Sequence, residues 1–527
     1  MRDFQLPGRS QVFSKSGMVA TSHPVASLVG VSVLKNGGNA ADAALAMALV
    51  LPICEPQSTG LFGDAFALIK PQGTDDIFGI NGSGPTPKGF SEEEIRGKGY
   101  KSMPKTEACS VTMPGAISAF ELIAKNYSKL GLSEACQPAI KYAFDGIPVY
   151  PRVALDWSLD GKNLSGIARD LYLINGDVPK VGQVFAAPGQ GEILKKISKE
   201  GSKGFYAGEV AEDFVHSLKN LGGKHELEDF QSVAAEFVNP ISTEYRGYEV
   251  VELPPNGQGA TALLMLRLLE KFNLSTMDPG GAERVHLEAE ISKLAYSARD
   301  RFIADPKMIN VDTEKFYADS FADELLNSID IEVVNSSNLI TNHNPHKDTV
   351  YLTAVDRDGM AVSLIFSVFD SFGTGLASEK YGVLFQNRGS GFTLEMGHPN
   401  EAKPGKRPLH TIIPGMVKKD GKFLMSFGVM GGQYQANGHA RVISNIVDFN
   451  MDIQEALTFP RSFANEGVLQ LERGYSEDTA RVLSNLGHHI QRPEKPIGGG
   501  QIISIDNAME VLVGASDPRK DGCALGL

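Results

Sequence analysis

The chain has 527 residues, 42% of them hydrophobic, and a net charge of −13 with acidic and basic residues interspersed. That length and apolar share permit a large buried core, as one big body or as two to four smaller ones. With no basic stripe to neutralise phosphates, nucleic acid is excluded as an expected partner.

Met1 to Ser10 is polar and lacks the apolar segment of a secretory signal. Gly17 to Thr21 reads as a strand and Ala26 to Leu34 as a helix, stopped by Gly37-Gly38-Asn39. Ala40 to Leu51 follows as an alanine-rich buried helix. The longest apolar run, Ala44 to Cys54, is about half of the ~20 residues that span a bilayer, so no membrane partner is expected. Cys54, Cys109, Cys136 and Cys523 are scattered without a CxxC, which suits a reducing, cytoplasmic setting. Gly60 to Leu68 predicts a glycine turn and a short strand, and Ser91 to Asn220 is mostly helical.

Arg246 to Leu253 predicts a strand that runs through Pro254-Pro255-Asn256-Gly257 into a helix from Ala260 to Leu274. A second helix covers Ala282 to Phe302. Asn335 to Lys347 carries no hydrophobic period and predicts an exposed, mobile loop. An alternating strand then opens at Thr349, turns at Asp356-Arg357-Asp358-Gly359 and returns through Ala361 to Phe366. Strands are expected to continue to about Phe385 and to recur at Ile412–Val417, Phe423–Phe427, Ile502–Ile505 and Glu510–Gly514, with a helix over Gly438 to Val447. Strands at both ends and helices between them predict one mixed α/β body whose sheet joins distant segments.

Thr349 is the residue with most chemical potential. As the first residue of a core strand it is ordinary; if the chain opens before it, its hydroxyl and a new α-amine share one residue, a nucleophile with its own general base. Ser367, on the return strand of the hairpin, is placed to orient such a group. Gly431-Gly432, in the turn after Phe423–Phe427, could offer backbone N–H groups to an oxyanion. Arg388, in the turn Gln386-Asn387-Arg388-Gly389-Ser390-Gly391, is either a solvated charge or a bidentate clamp for a carboxylate. None of the 11 histidines, including His343, His346, His410, His439 and His488-His489, stands in a recognised metal spacing, so neither metal nor cofactor is expected. Gly257-Gln258-Gly259-Ala260 lacks the full dinucleotide fingerprint and reads as close helix packing.

Together these segments resemble the γ-glutamyltranspeptidase family of N-terminal-nucleophile hydrolases along nearly the whole chain. The matching stretches are GMVATSHPVAS, LKNGGNAADAALA, PPNGQGATALLMLRLLE, SARDRF, DTVYLTAVDRDGMAVS, FGTG, PLHTIIP, MGG and SDPRKDG. The resemblance implies a four-layer αββα sandwich made as an inactive precursor. Self-cleavage between Asp348 and Thr349 would give a large subunit (1–348) and a small one (349–527) that together form one αββα domain. By the same resemblance Thr349 is the nucleophile, Ser367 the second hydroxyl, and Gly431 and Gly432 the oxyanion hole.

The chain departs from the family at the substrate head group. Asn81 stands where the family has an arginine for the substrate α-carboxylate, Phe369 and Gly391 where it holds the α-amino group, and His410-Thr411 where it has two serines. Arg388 is the candidate replacement cation. QNRGSGF and GGQYQANGH place the chain nearer the divergent bacterial branch that includes oxamate amidohydrolase. The expectation is an amidase for a small carboxylate-bearing amide, oxamate-like or γ-glutamyl. A true glutathione hydrolase or γ-glutamyltransferase, and an unprocessed binding protein, are the alternatives. Expected partners are the small-molecule amide and the two subunits of one precursor, with a homo-oligomer left open.

Overall fold

The period-2 alternation of the Val350–Asp356 strand decides how the layers stack. Val350, Leu352 and Ala354 pack among the helices Pro24–Lys35, Ala40–Cys54 and Ala116–Tyr127, whereas Tyr351 and Val355 pack on Met416, Phe423 and Ile503 of a second sheet. A strand buried on both faces reads as continuously apolar, as this one does. The computed structural model describes residues 5, 8–309, 313–327, 330, 333–334 and 349–527; the loop expected at 335–347 and Asp348 lie outside them.

The first sheet runs in the order Cys523–Gly526, Gly17–Thr21, Val350–Asp356, Ala361–Ser367, Asp64–Lys70, Phe78–Gly82, Glu236–Val238, with every neighbour antiparallel. The second runs Val12–Ser14, Val511–Ser516, Gly499–Asp506, Lys422–Met430, Gly415–Lys419, Tyr248–Glu252, Ile241–Tyr245, again antiparallel throughout. The outer face of the second sheet is covered by the helices Gly259–Glu270, Ala282–Phe302 and Tyr434–Val447. The result is the expected αββα stack. Strands from after residue 348 lie between strands from before it, so the two parts share their sheets.

Local chemistry explains several elements. Asn39 accepts from the Asp42 N–H while the Asp42 carboxylate accepts from the Asn39 N–H, a capping box that starts the Ala40–Cys54 helix. Every residue of that helix is buried, and its alanines allow the close approach of its neighbours. A methyl on Gly259 would fall 2.5 Å from the Leu253 carbonyl oxygen, so the glycine turn there serves close packing, as read from the sequence. Strands do not continue to Phe385: after Ser367 the chain takes positive φ at Phe369, Phe372, Gly373 and Gly375 and leaves the sheet. The helix expected from Gly438 begins at Tyr434; Gly438 is interior, where a methyl would fall 2.7 Å from Val429 Cγ1. No described helix is long and apolar enough to cross a membrane.

The space between the sheets is partly polar. Tyr351 Oη lies 2.7 Å from Ser363 Oγ within the first sheet, and Thr353 Oγ1 lies 2.7 Å from Ser426 Oγ, which bridges the two sheets. Gly428 faces the Tyr351 ring so closely that a methyl there would fall 2.3 Å from Cε2. Gly428→Val should therefore overpack the interlayer by about 1–3 kcal/mol, read as a lowered denaturation midpoint. A second measurement concerns pH. Burial holds His225 down to about 4, with Nε2 2.9 Å from the Val111 carbonyl oxygen. The native chain keeps this ring neutral while the unfolded chain takes up the proton. Its contribution is thus complete above about pH 6.5 and declines as the pH falls toward 4. A series of thermal midpoints should show that decline, and His225→Asn should flatten part of it.

Candidate active site

Strand register brings three polar residues into one row. Thr349 precedes the pair Val350 and Phe366 and so lies beside Ser367, which is itself paired with Asp64 on the next strand. Residues in one row of a sheet point to the same face. By parity with Tyr351, Ile365 and Phe66, that face is the one toward the second sheet. All three residues are fully buried.

The second sheet meets this row at the glycine turn. Gly431 and Gly432, with φ of 124° and 60°, end the Lys422–Met430 strand in a conformation that side chains rarely allow. Their carbonyls accept from the N–H groups of Tyr434 and Gln435 at 3.1 and 3.2 Å, so the turn leads directly into the helix. Gln435 then reaches back: its Nε2 lies 3.5 Å from Thr349 Oγ1 and its Oε1 accepts from Ile413 N at 3.0 Å. Gln258 Nε2 ties the Thr411 carbonyl (2.8 Å) to that of Gly432 (3.1 Å). Arg299 donates in turn to Gln258 Oε1 at 2.8 Å.

At the other end of the row, Asp64 Oδ1 accepts from Gly115 N at 2.9 Å and Gln386 Nε2 at 3.3 Å, and Oδ2 lies 2.8 Å from His410 Nε2. Burial first, and the nearby Arg388 charge second, pull His410 below its ordinary value, while Asp64 pushes the other way. His410 also stacks on Phe66, with ring centroids 5.3 Å apart. Its side chain is therefore committed to Asp64 rather than open as a contact for a ligand.

Arg388 is fully buried, and none of its three guanidinium nitrogens has a hydrogen-bond partner. Its Nε lies 3.9 Å from Asp64 Oδ2, and its guanidinium sits 4.7 Å from the centre of the Phe369 ring. Burial lowers it to about 10, which still leaves it a cation at neutral pH. The residue starts a single 3₁₀ turn, Arg388–Gly391, rather than ending a strand. Phe369 owes its position to a φ of 82° and to its N–H, which donates to Ser367 Oγ at 2.8 Å. A methyl on Gly391 would sit 3.5 Å from the Phe369 ring.

Asn81 is engaged elsewhere: its Nδ2 donates to Asn256 Oδ1 at 2.9 Å and its Oδ1 accepts from Ser83 N at 3.0 Å. Sequence reading missed Asp64, Gln386 and Gln435. Asp64 did carry a signal, a carboxylate opening an otherwise apolar strand. Among the described residues, the one cluster with metal-ligand spacing (His286, Glu290 and His488) includes no member of this row.

Comparison with known proteins agrees with this architecture. The sequence model of the family described as "Gamma-glutamyltranspeptidase" matches residues 26–527. The "Glutathione hydrolase-like YwrD proenzyme" of Bacillus subtilis (strain 168) is 32% identical, over 98% of this chain and 99% of its own. The "Oxamate amidohydrolase proenzyme" of Klebsiella pneumoniae subsp. pneumoniae is 29% identical, over 97% and 99%. Among solved structures, the cephalosporin acylase from Bacillus halodurans superposes with a TM-score of 0.91 at 36% identity, over 100% of this chain and 99% of its own. The chain belongs to the γ-glutamyltranspeptidase family and is a hydrolase acting on amide bonds.

Proposed function

We propose that the chain processes itself before Thr349 and uses that threonine to hydrolyse a small amide whose acyl part carries a carboxylate but no α-amine. In the first step Thr349 Oγ1 attacks the Asp348 carbonyl, the peptide becomes an ester, and water cleaves it. Residues 1–348 and 349–527 are then the large and small subunits. The freed α-amine, with an ordinary value near ~8, is a base matched to neutral pH. In turnover the hydroxyl attacks the substrate carbonyl, its proton leaves with the amine product, and water resolves the acyl-enzyme. Ser367 orients the hydroxyl, and the Gly431-Gly432 turn supplies N–H groups to the oxyanion.

The observation that carries the substrate class is the buried, unpartnered guanidinium of Arg388. A cation stripped of water and hydrogen bonds is costly, and a bidentate carboxylate is the ligand that satisfies it best. An ammonium has no comparable host among the described residues of the site. Both Asp64 oxygens are engaged, Asn81 is tied to Asn256 and Ser83, and the Phe369 ring accepts no N–H hydrogen bond of the required strength. The names of the acylase and the oxamate amidohydrolase among the relatives support this preference. The second reading, a glutathione hydrolase or γ-glutamyltransferase, rests on Asp64 lying 3.9 Å from Arg388, an acid–base pair of the kind a zwitterion needs.

Thr349→Ala should remain a single 56.7 kDa band on a denaturing gel while the native sequence separates into two. A native chain that never separates would favour a binding protein instead. Ser367→Ala should slow both maturation and turnover by about tenfold, ~1.4 kcal/mol of barrier. Release assays on glutaryl, oxalyl and γ-glutamyl amides isolate the head group, since glutaryl lacks only the α-amine of γ-glutamyl. Efficient γ-glutamyl turnover with weak glutaryl turnover would defeat the proposed class. Arg388→Met should still mature yet lose ~10–100-fold in kcat/KM on carboxylate-bearing amides, given about 1.5–3 kcal/mol per charged hydrogen bond.

A further inference from the structure

A second cluster lies on the outer helical layer. His286 and Glu290 are four residues apart on the Ala282–Phe302 helix and so share a face. His488, just beyond the Glu477–Asn485 helix, arrives at the same point, and its Nε2 is 2.7 Å from His286 Nδ1. One ligand atom from each of the three residues lies within 4.8 Å of the others, and all three residues are buried. A cavity of about 150 Å³ opens beside His488, with Lys293, Val334, Phe463, Asn465 and Gly487 among the residues that line it.

We propose that His286, Glu290 and His488 form a binding site for a divalent transition cation of the zinc class. Two imidazole nitrogens and a carboxylate suit zinc, cobalt or nickel rather than magnesium or calcium, which prefer all-oxygen sets. Three protein ligands leave one tetrahedral position for water, and the cavity beside His488 provides the room and the way in. Two ring nitrogens 2.7 Å apart are joined either by the N–H of one ring or by a cation that both coordinate. Tetrahedral zinc bound at ~2.0–2.1 Å separates its nitrogens by about 3.3 Å, so binding opens the histidine pair by roughly half an ångström.

The obstacle is Lys293, whose Nζ donates to Glu290 Oε1 at 2.6 Å. Its ammonium competes with the incoming cation for the carboxylate, which sets the alternative: a purely structural histidine pair beside a lysine–glutamate ion pair. The two differ in what removing the lysine charge does. Under the metal-site reading Lys293→Met tightens binding.

The test uses the full chain stripped with a chelator and titrated with zinc by calorimetry and with cobalt by visible absorption. One equivalent should bind and give the intense visible bands of four-coordinate cobalt. His488→Ala and Glu290→Gln should each weaken binding at least tenfold, His489→Ala should leave it unchanged, and Lys293→Met should tighten it severalfold. Failure of the unmutated chain to take up one equivalent overturns the proposal without any variant having to fold. Uptake that is indifferent to His488→Ala overturns it as well.

Discussion

The site depends on the register of three antiparallel strands. Thr349, Ser367 and Asp64 share a row because Val350 pairs with Phe366 and Ser367 with Asp64. A slip of one residue in the hairpin would rotate Thr349 out of the interlayer and into the helical layer. The hydroxyl bridge between Thr353 and Ser426 resists such a slip, since it requires the odd-numbered residues of the strand to face the second sheet. The backbone ladder thereby positions Thr349, the proposed nucleophile, and the surrounding side chains have only to fix its orientation. Gln435 meets that need from the opposite sheet, on a helix whose first turn is the same glycine turn proposed to hold the oxyanion.

Electrostatics at the far end of the row follow from burial. Asp64 is the carboxylate nearest both Arg388 and His410, and it cannot fully satisfy either. Its stronger contact is with His410 at 2.8 Å, which leaves the guanidinium 3.9 Å away and still without a hydrogen bond. The Phe369 ring under the guanidinium offsets part of the desolvation through its π face. What remains is a guanidinium whose donors are unsatisfied in a dry place, where a hydrogen bond to an incoming anion gains more than it would in water. Asp370 does not cancel it, because its carboxylate is drawn to Lys105 at 2.9 Å and held by Asn387.

Much of this was legible in the sequence, and the exceptions have physical causes. The hairpin at Thr349, the Ala282–Phe302 helix and the Gly431-Gly432 turn announce themselves through alternation, helical period and glycine pairs, all local signals. Gly438 misled because an interior glycine that lets a helix approach Val429 looks the same as a helix boundary. The strands expected up to Phe385 failed because β-rich composition does not report positive φ at Phe369 and Phe372. Gln386 and Gln435 gave little local pattern, since what defines them is a partner 322 and 86 positions away. The His286, Glu290 and His488 cluster was invisible for the same reason: the third member stands 202 positions from the first.

The division between what the backbone fixes and what side chains fix bears on how specificity can change within one family. The nucleophile row, the glycine turn and the capped helix behind the first sheet are set by register and φ, and altering any of them disturbs the fold. The candidate head-group residues differ in kind: Phe369 and Arg388 lie beyond the strands, whereas Asn81 and His410 are held by Asn256, Ser83 and Asp64. If the family's cation stands at position 81, as the resemblance implies, placing it at 388 instead carries it from a sheet strand to a 3₁₀ turn. On the proposed reading the carboxylate subsite shifts with it, while the row of Thr349, Ser367 and Asp64 stays where it was. Once Arg388 occupies that place, Phe369 is the consistent partner, because an acidic side chain there would fill the guanidinium and close the anion site. On the proposed reading the loss of the amine contacts and the gain of a carboxylate clamp are therefore one change, coupled through a single buried charge.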